Sequence, residues 1–351
     1  MSTTPARPLG IGIVGSGAMS RTYVRGIAHL VPEARSVAIF GGRGAAALGA
    51  EFSMPVEPTL EALLARPDVD AVLLGSPTQV HREQVELAAA AGKHIYTEKP
   101  MAATLEECDA MIGAARGAGV LLAVNTVTRY RRGFQLARQL IDEGAIGELR
   151  MVRHLYAHTA GSFFGMPAWI HRSEAGSPFL DQGSHCNDVI RWLVGSDVTA
   201  VHAQYASFTA DEPRGLTAMV QYRFASGVLC QILATYEWPE PALDAEKWTG
   251  DYTFVGSKGT LEVQYRGRVR LGTGDRWEVL YEHPPVDGSG TDYDEAFVYP
   301  YADQVRDFAL AVREGREPLV NGETARKGIE IGVAADRSAA TGQVVQLPLV
   351  S

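Results

Sequence analysis

The sequence predicts two domains: an amino-terminal α/β domain with a doubly wound parallel sheet, and a carboxy-terminal α+β domain with a large, open-faced, mostly antiparallel sheet. At 351 residues the chain is longer than one typical domain and suits two. Strand and helix patterns alternate over residues 1–125, and intervening helices force neighbouring strands to pair in parallel. From about residue 150 strand patterns follow one another directly, so we assign residues 126–351 to the second domain.

Five apolar segments of the first domain are expected to form its parallel strands. Each is a nearly continuous hydrophobic run, as expected for a strand that is covered on both faces, and they span residues 9–15, 35–40, 70–77, 93–100 and 120–126. Helical patterns lie between them, the first ending at about residue 29 and the others spanning residues 44–52, 59–67, 82–92 and 105–119. Thr59 has the character of an N-cap, and Gly92 closes the helix before it.

The second domain is expected to contain eight strands, because its segments alternate partly between apolar and polar residues and are separated by turn residues. They span residues 152–158, 200–208, 216–224, 227–238, 251–257, 259–266, 269–272 and 277–284. Two helices, at 302–315 and 323–342, close the chain. A sheet face left uncovered by helices requires another partner, so we expect a homo-oligomer assembled through this sheet.

Composition and charge exclude several classes of partner. The net charge of −9 argues against nucleic acid, whose phosphates require clustered Lys and Arg. No run of about 18 apolar residues occurs, so no membrane span is expected, and the opening MSTTPARPLG lacks the hydrophobic segment of a secretory signal. The three cysteines are widely spaced, which favours reduced thiols in a cytoplasmic protein.

The first predicted strand runs into the glycine-rich loop GSGAMS at residues 15–20. A dinucleotide-binding loop requires a Gly for a tight turn, a second Gly for close approach of the pyrophosphate, and a small third residue where the helix packs on the sheet. Ser20 stands in the place of that third small residue. Because the loop connects a buried strand to a helix, it indicates a nucleotide site, formed by Gly15, Gly17, Ala18 and Met19.

The end of the second strand indicates which nicotinamide dinucleotide is preferred. NAD sites usually carry an Asp or Glu there to hold the ribose 2′-hydroxyl, but this strand ends in Phe40-Gly41-Gly42-Arg43. The two glycines leave room, and the Arg43 guanidinium offers a fork of donors suited to a 2′-phosphate. We therefore expect NADP(H) to be favoured over NAD(H); alternatively, Arg43 is only a solvated residue at a helix start.

The stretch LDQGSHCND contains three side chains able to bind metal or move protons, Asp181, His185 and Asp188. If a helix begins here, Asp181 and His185 share a face, so the carboxylate can orient the imidazole while the ring transfers a proton. A metal site would require further convergent ligands, and no metalloenzyme spacing is present. The stretch alone does not decide among these interpretations, but with the nucleotide-binding loop upstream an acid–base pair is favoured over a metal site or an ordinary helix start, and no metal is expected.

Four motifs resemble those of the glucose–fructose oxidoreductase/inositol dehydrogenase (Gfo/Idh/MocA) family. They are GIVGSGAMS (12–20), SPTQVH (76–81), TEKP (97–100) and FLDQGSHCNDVIRWLVG (179–195). The resemblance implies a Rossmann domain followed by an α+β domain whose open sheet is often buried in a dimer or tetramer. It also implies hydride transfer between a nicotinamide and a secondary alcohol or ketone, commonly of a sugar or cyclitol.

The resemblance also implies roles for individual residues. By motif match, Lys99 is the catalytic lysine, and Asp181 and His185 are the family's Asp and His. Residues implied on the nucleotide side are Ser76, Pro77, His81, Glu98 and Lys99 itself. Residues implied near the substrate are Asn125, Arg129, Trp169 and His171. The chain departs from the family's usual Gly-Gly-Gly before the Asp, because Ser177-Pro178 follows Gly176.

These motifs together predict an NADP(H)-preferring oxidoreductase of a polyol or keto-sugar. In the oxidative direction His185 would take the hydroxyl proton with help from Asp181, and Lys99 would stabilise the developing oxyanion. Two alternatives stay open. One is a non-catalytic regulator that senses the dinucleotide, and the other is an enzyme that oxidises a glycoside transiently to permit elimination or hydrolysis.

Overall fold

Two compact units divide the chain, and each is made of two segments. The first unit comprises Met1–Val127 and Tyr293–Arg326, and the second comprises Thr128–Asp292 and Lys327–Ser351. The computed structural model describes residues 7–166, 171, 176–208, 214–239, 248–265, 267–282 and 295–349.

The first unit is built on a five-stranded parallel sheet, which confirms the predicted doubly wound arrangement. Its strands are β1 (Leu9–Val14), β2 (Ala34–Phe40), β3 (Ala71–Leu74), β4 (His94–Thr97) and β5 (Leu122–Val124). They pair in the order β2-β1-β3-β4-β5, always in parallel. The strand order reverses at β1 and β3, and open α/β sheets bind ligands beyond the carboxyl ends of the strands at such a point.

Five helices of the first unit follow these strands, and local sequence determines where they begin and end. They are α1 (Ala18–Leu30), α2 (Ala45–Glu51), α3 (Leu60–Leu64), α4 (His81–Ala90) and α5 (Leu105–Ala118). Thr59 caps α3 as predicted, since its side chain accepts a hydrogen bond from the Ala62 N–H. Gly92 follows α4 in the left-handed region, with φ of 69°, where glycine is favoured.

The second unit contains a nine-stranded sheet that is mostly antiparallel, which confirms the predicted type of sheet. Its strands are β6 (Leu149–His158), β7 (Val198–Ala206), β8 (Thr217–Phe224), β9 (Leu229–Thr235), β10 (Trp248–Gly256), β11 (Thr260–Gln264), β12 (Arg268–Thr273), β13 (Arg276–Glu282) and β14 (Val345–Gln346). Their order is β13-β12-β11-β10-β6-β9-β8-β7-β14. Only the β6–β9 pair is parallel among these described strands. All eight predicted strands are present, and the short β14 is an addition.

Three shorter helices of the second unit are α6 (Arg132–Asp142), α7 (Ala160–Phe164) and α8 (Pro178–Val194). Helices α6 and α8 share a buried apolar cluster with residues of the sheet. The sequence analysis did not predict α6, although Phe134 and Ala137 lie three residues apart and are both buried in the core of the second unit. Ile141, four residues beyond Ala137, is partly buried against the same core, so the helical period was present in the sequence.

Two long helices, α9 (Glu295–Glu314) and α10 (Gly322–Thr341), close the chain. The division into units differs from the boundary expected at residue 125, because α9 belongs to the first unit. Ala302, Val305 and Phe308 of α9 lie in the same buried cluster as Tyr23 and Ile27 of α1, so apolar packing returns this late segment to the first unit. Among the described residues no helix is long and apolar enough to cross a membrane.

The three cysteines are free and buried, as expected for reduced thiols. Burial raises the pKa of the thiol to about 12 for both Cys108 and Cys186, and it raises the pKa of Cys230 as well. The thiolate is the nucleophile and the metal-binding form, so these side chains pack as small apolar groups.

Candidate active site

The loop after β1 is shaped to accept a ligand at the start of α1. Gly15 has φ of 93°, and a Cβ there would lie 2.9 Å from the Gly75 carbonyl oxygen, so only glycine fits. Gly17 is the N-cap of α1, and no side chain caps this helix start. A Cβ at Gly17 would meet no atom within 4 Å. The free N–H groups and the empty space beside them fit the pyrophosphate of a dinucleotide.

Ser20 and Gly75 explain why this loop lacks the third glycine of the usual pattern. Ser20 is fully buried in α1. A Cβ at Gly75, just past β3, would lie 2.3 Å from the Ser20 hydroxyl oxygen. The glycine needed for close packing of the helix on the sheet is therefore on the strand side of the contact.

The segment after β2 lies against the same loop. Gly41 and Gly42 both adopt positive φ angles, 82° and 81°. The Ser16 hydroxyl accepts a hydrogen bond from the Gly44 N–H at 3.0 Å, and a Cβ on Gly42 would lie 2.3 Å from that hydroxyl. Arg43 is exposed, and its side chain emerges from a backbone that is held next to the glycine loop.

His81 was expected on the nucleotide side, but the structure places it inside the first unit. Its side chain is fully buried, with Nε2 2.9 Å from the Ser76 carbonyl oxygen and Nδ1 3.2 Å from the Met101 carbonyl oxygen. Burial lowers the pKa of the imidazole. His81 therefore joins the loops that follow β3 and β4, while Pro77 beside it is exposed and Ser76 is half-buried.

Glu98, which was expected on the nucleotide side, is the centre of a buried polar cluster. It accepts hydrogen bonds from the Tyr23 hydroxyl at 2.7 Å and from the Asn125 amide at 2.8 and 2.9 Å. The Lys99 backbone N–H also donates to it, at 3.0 Å. The Asn125 side-chain oxygen accepts from the Val127 N–H, so the amide expected near substrate holds Glu98 and the chain after β5.

Lys99 lies two residues past the last residue of β4, beyond the carboxyl end of the parallel sheet. Its side chain is half-buried. The Glu98 carboxylate fixes its backbone N–H, so the lysine projects from a rigid part of the loop. This is the edge at which such sheets place ligands.

Asp181 and His185 both lie in α8, one helical turn apart, so they share a face as the sequence predicted. Both side chains are half-buried, whereas most residues around them are buried. Asn187, two residues after His185, donates to the Gly328 carbonyl oxygen at 3.2 Å and accepts from the Tyr222 hydroxyl. The helix that carries the pair is therefore held by buried polar contacts.

Arg129 was expected near the substrate, but it forms a buried ion pair with Asp188 of α8. Its Nε and Nη2 donate to the two carboxylate oxygens at 2.7 and 2.6 Å. The two side chains are 6% and 1% exposed, and the guanidinium lies 5.6 Å from the ring centroid of Trp192. Arg129 therefore holds α8 in place. The Asp188 carboxylate, which a metal site at 181–188 would have used, is already paired with Arg129.

Tyr236, just past β9, is a candidate that the sequence analysis missed. Its hydroxyl lies 3.5 Å from Asp181 Oδ2. Burial raises the pKa of this hydroxyl well above its usual range, and the Asp181 carboxylate adds to the increase, so Tyr236 donates the hydrogen. No short-range pattern connects residues 55 positions apart, and only the fold brings them together.

An aromatic group surrounds Tyr236. Its ring centroid lies 4.9 Å from that of Phe163 and 5.4 Å from that of His158. His171, which was expected near the substrate, contacts Phe163 edge-on with centroids 4.8 Å apart. Trp169 lies outside the described residues. Within those residues, no group of three His, Cys, Asp or Glu side chains is arranged to hold a metal ion.

Two family models match the chain. The model described as "Oxidoreductase family, NAD-binding Rossmann fold" matches residues 9–126, and the model described as "GFO/IDH/MocA C-terminal domain" matches residues 134–262. The first match contains the five parallel strands and Lys99. The second contains α8 with Asp181 and His185.

Relatives match over most of their length. Myo-inositol 2-dehydrogenase from Thermotoga maritima is 30% identical over 296 residues, which cover 81% of this chain and 82% of that protein. The 1,5-anhydro-D-fructose reductase from Ensifer adhaerens is 28% identical over 348 residues, which cover 96% and 98%. The solved WlbA dehydrogenase from Bordetella pertussis, in complex with NADH and UDP-GlcNAcA, is 27% identical with a TM-score of 0.83, covering 99% of this chain and 100% of that one.

Proposed function

The chain belongs to the Gfo/Idh/MocA family of oxidoreductases with an NAD-binding Rossmann fold, and from that premise we propose that it transfers a hydride between a nicotinamide and a secondary alcohol or ketone of a sugar or cyclitol. One observation carries the proposal: Asp181 and His185 lie one turn apart on α8, in a chain whose glycine loop is open to a dinucleotide. Relatives named as an inositol dehydrogenase and an anhydrofructose reductase support the substrate class.

Three side chains supply the acid–base chemistry in this proposal. The nicotinamide, when bound, provides the ring carbon that accepts or returns the hydride. In the oxidative direction His185 takes the proton of the substrate hydroxyl, and Asp181 orients the imidazole. The Lys99 ammonium stabilises the negative charge that develops on the substrate oxygen. In the reductive direction His185 returns the proton to that oxygen.

The catalytic roles are tested by replacing Lys99 and His185 separately. We expect Lys99→Ala and His185→Ala each to reduce kcat by about 10²- to 10⁴-fold, with the nucleotide dissociation constant unchanged, because neither side chain forms the glycine loop. Exposed Lys258 and His29 provide matched control variants, Lys258→Ala and His29→Ala, which should retain full turnover. Steady-state kinetics with a panel of polyols and keto-sugars, together with nucleotide titration, measures both quantities.

Three results would contradict parts of this proposal. Near-normal turnover in both variants would remove the assigned roles of Lys99 and His185. Nucleotide binding without oxidation or reduction of any polyol or keto-sugar would favour a regulator that senses the dinucleotide. Turnover with a retained cofactor and no net redox change would favour transient oxidation of a glycoside.

The preferred cofactor in this proposal is NADP(H), and NAD(H) is the competing choice. The segment after β2 contains no Asp or Glu to hold a ribose 2′-hydroxyl. Gly41 and Gly42 leave room for a 2′-phosphate, and the exposed Arg43 can reach it. The Bordetella pertussis relative was solved with NADH, so a preference for the phosphorylated form would distinguish this chain from that one.

The proposed assembly is a homodimer or homotetramer formed through the exposed face of the nine-stranded sheet. Met151 on β6, Met219 on β8 and Leu229 on β9 are 50%, 53% and 47% exposed on that face. Large apolar side chains that are clustered on an exposed surface indicate an interface. The free, buried cysteines support a reducing compartment, and we propose the cytoplasm.

Light scattering on the purified protein tests this assembly. We expect at least a dimer for the wild type and a monomer for Met219→Glu, because the new carboxylate would be desolvated in the interface. Val56→Glu is the matched control, since Val56 is 47% exposed in the first unit. A wild-type monomer, or an unchanged mass for Met219→Glu, would count against the sheet as the interface.

A further inference from the structure

The segment Gly176-Ser177-Pro178, where the chain departs from the Gly-Gly-Gly of its family, forms the fixed start of α8. Gly176 has φ of 83°, and its carbonyl oxygen accepts from Arg214 at 3.1 Å. Ser177 is the N-cap, and its hydroxyl oxygen accepts from the Leu180 N–H at 3.0 Å. Pro178 occupies the first turn, where its preset φ favours helix formation.

The Ser177 hydroxyl also has a second partner, which comes from the last long helix of the chain. It donates its hydrogen to Asp336 Oδ1 of α10 at 2.7 Å. The Tyr205 hydroxyl of β7 donates to the same oxygen at 2.8 Å. Because a hydroxyl can accept and donate at once, Ser177 connects the helix backbone to Asp336; glycine or alanine at this position could not.

This contact lies close to the proposed acid–base pair. The Ser177 carbonyl oxygen accepts a hydrogen bond from the Asp181 N–H at 3.4 Å. Ser177, which Asp336 holds, is therefore hydrogen-bonded to Asp181, the residue proposed to orient His185. The Tyr236 hydroxyl lies 3.5 Å from the Asp181 carboxylate. Asp181 is therefore held by Ser177 of its own helix, which α10 holds in turn, and by Tyr236 after β9.

We propose that Asp336 is a positioning residue for the reaction: through Ser177 and Tyr205 it holds the first turn of α8, and with it Asp181, in the geometry that proton transfer requires. The inference rests on the proposed function, since it assigns Asp181 a part in catalysis. Asp336 touches no reacting atom and acts only through the helix start. Burial raises the pKa of its carboxyl, against the opposing effect of the two hydroxyl donors.

A pair of substitutions at Asp336 separates this role from simple support of the fold. Asp336→Ala removes the shared acceptor, whereas Asp336→Asn retains an amide oxygen that can accept from both hydroxyls. Thr59→Ala is a matched control, because the Thr59 hydroxyl oxygen caps α3 in the first unit by accepting a hydrogen bond from the Ala62 N–H at 3.1 Å, as the Ser177 hydroxyl caps α8. Thr59→Ala weakens one helix start directly and Asp336→Ala weakens another through Ser177, but only the second of these helices carries the acid–base pair.

Two measurements are made on the full chain. Hydrogen exchange of peptides that contain residues 177–186, without substrate, should be accelerated about tenfold by Asp336→Ala and little by Asp336→Asn, since leaving two buried hydroxyls without their acceptor destabilises that turn. Steady-state kinetics should show kcat reduced about tenfold for Asp336→Ala with KM nearly unchanged, and restored by Asp336→Asn. Thr59→Ala should change neither quantity.

The outcomes separate the two proposals. Faster exchange with unchanged kcat in Asp336→Ala, or unchanged exchange, would overturn the positioning role. An equal fall of kcat in Thr59→Ala would also overturn it, because the effect would then be general destabilisation. If the wild type oxidises or reduces no polyol or keto-sugar, the proposed function fails. Hydrogen exchange then still decides whether Asp336 holds the start of α8. Faster exchange of residues 177–186 in Asp336→Ala supports that contact, and unchanged exchange refutes it.

Discussion

Helices α1 and α8 begin in opposite ways. At the start of α1, Gly17 provides no side chain for the free backbone N–H groups, and the space beside it is empty. At the start of α8, Ser177 caps the Leu180 N–H and is itself held by Asp336. The comparison teaches that a helix start left unsatisfied by the protein is available for phosphate, whereas a start satisfied by side chains keeps the groups carried by that helix in place.

The two helices also pack differently along their length. The buried residues of α1 are mostly apolar or small, and Ser20 lies close to Gly75. The buried residues of α8 include polar side chains with polar partners, above all Asp188 with Arg129. Apolar packing tolerates small adjustments, while a buried charge requires its partner at a specific position.

Breaking the buried ion pair should have the largest effect and would show how far α8 depends on polar contacts. We expect Arg129→Met to lower the free energy of unfolding by about 3–5 kcal/mol, because it leaves the Asp188 carboxylate buried without its cation. Urea denaturation followed by circular dichroism measures the change. Arg82→Met is the control, since Arg82 pairs with Glu86 on the surface of α4 and should change stability little. An equal loss of unfolding free energy in Arg129→Met and Arg82→Met would show that the buried ion pair contributes no more than the surface pair.

Closing the start of α1 should have the next largest effect. We expect Gly17→Asp to weaken nucleotide binding by about 100-fold or more, equivalent to about 2.8 kcal/mol, because the new carboxylate would occupy the space and cap the N–H groups that the pyrophosphate requires. Aspartate is a good N-cap, so the melting temperature of the nucleotide-free protein should be unchanged or slightly higher. Isothermal titration and thermal unfolding measure the two quantities.

Gly15→Ala is the control for Gly17→Asp. Unlike Gly17→Asp, it should lower the stability of the nucleotide-free protein. A Cβ at Gly15 would lie 2.9 Å from a backbone oxygen, in a residue with φ of 93°, so the nucleotide-free protein itself should be destabilised by about 1–2 kcal/mol or more. If Gly17→Asp bound nucleotide as well as the wild type does, the start of α1 would not be the pyrophosphate site.

Removing Arg43 should have the smallest effect. It would show whether the nucleotide site that begins at α1 extends to the segment after β2. We expect Arg43→Ala to reduce the ratio of NADP to NAD affinity by about tenfold, equivalent to about 1.4 kcal/mol, because an exposed guanidinium contributes modestly to phosphate binding. Arg35→Ala is the control, since Arg35 is exposed at the start of β2. An unchanged ratio would reduce Arg43 to a solvated surface residue.

Most of the fold could be predicted from local patterns. Continuous apolar runs indicated the five parallel strands, and partial alternation indicated eight of the nine strands of the second sheet. The placement of α9 with α1 could not be predicted in this way, because it depends on apolar contacts between segments far apart in the chain. Helix α6 was missed although its buried or partly buried positions Phe134, Ala137 and Ile141 follow a helical period.

The candidate site was predicted in part. The Gly15–Gly17 loop, the place of Lys99 beyond β4 and the common face of Asp181 and His185 all follow from short-range spacing. His81, Asn125 and Arg129 were expected to face ligands, but each has buried partners: two carbonyl oxygens for His81, Glu98 for Asn125 and Asp188 for Arg129. A motif identifies a polar residue, but it does not show which distant group satisfies that residue.

The sequence by itself determined where helices and strands form, where the backbone must be glycine, and which helix start is left open, because these depend on neighbours within a few residues. The tertiary structure alone decided which polar groups form hydrogen bonds or ion pairs inside the protein and which residues support the acid–base pair. Tyr236 reaches Asp181 across 55 residues, and Asp336 reaches Ser177 across 159. Burial makes each polar group seek a partner, and only the packed chain determines which partner lies within reach.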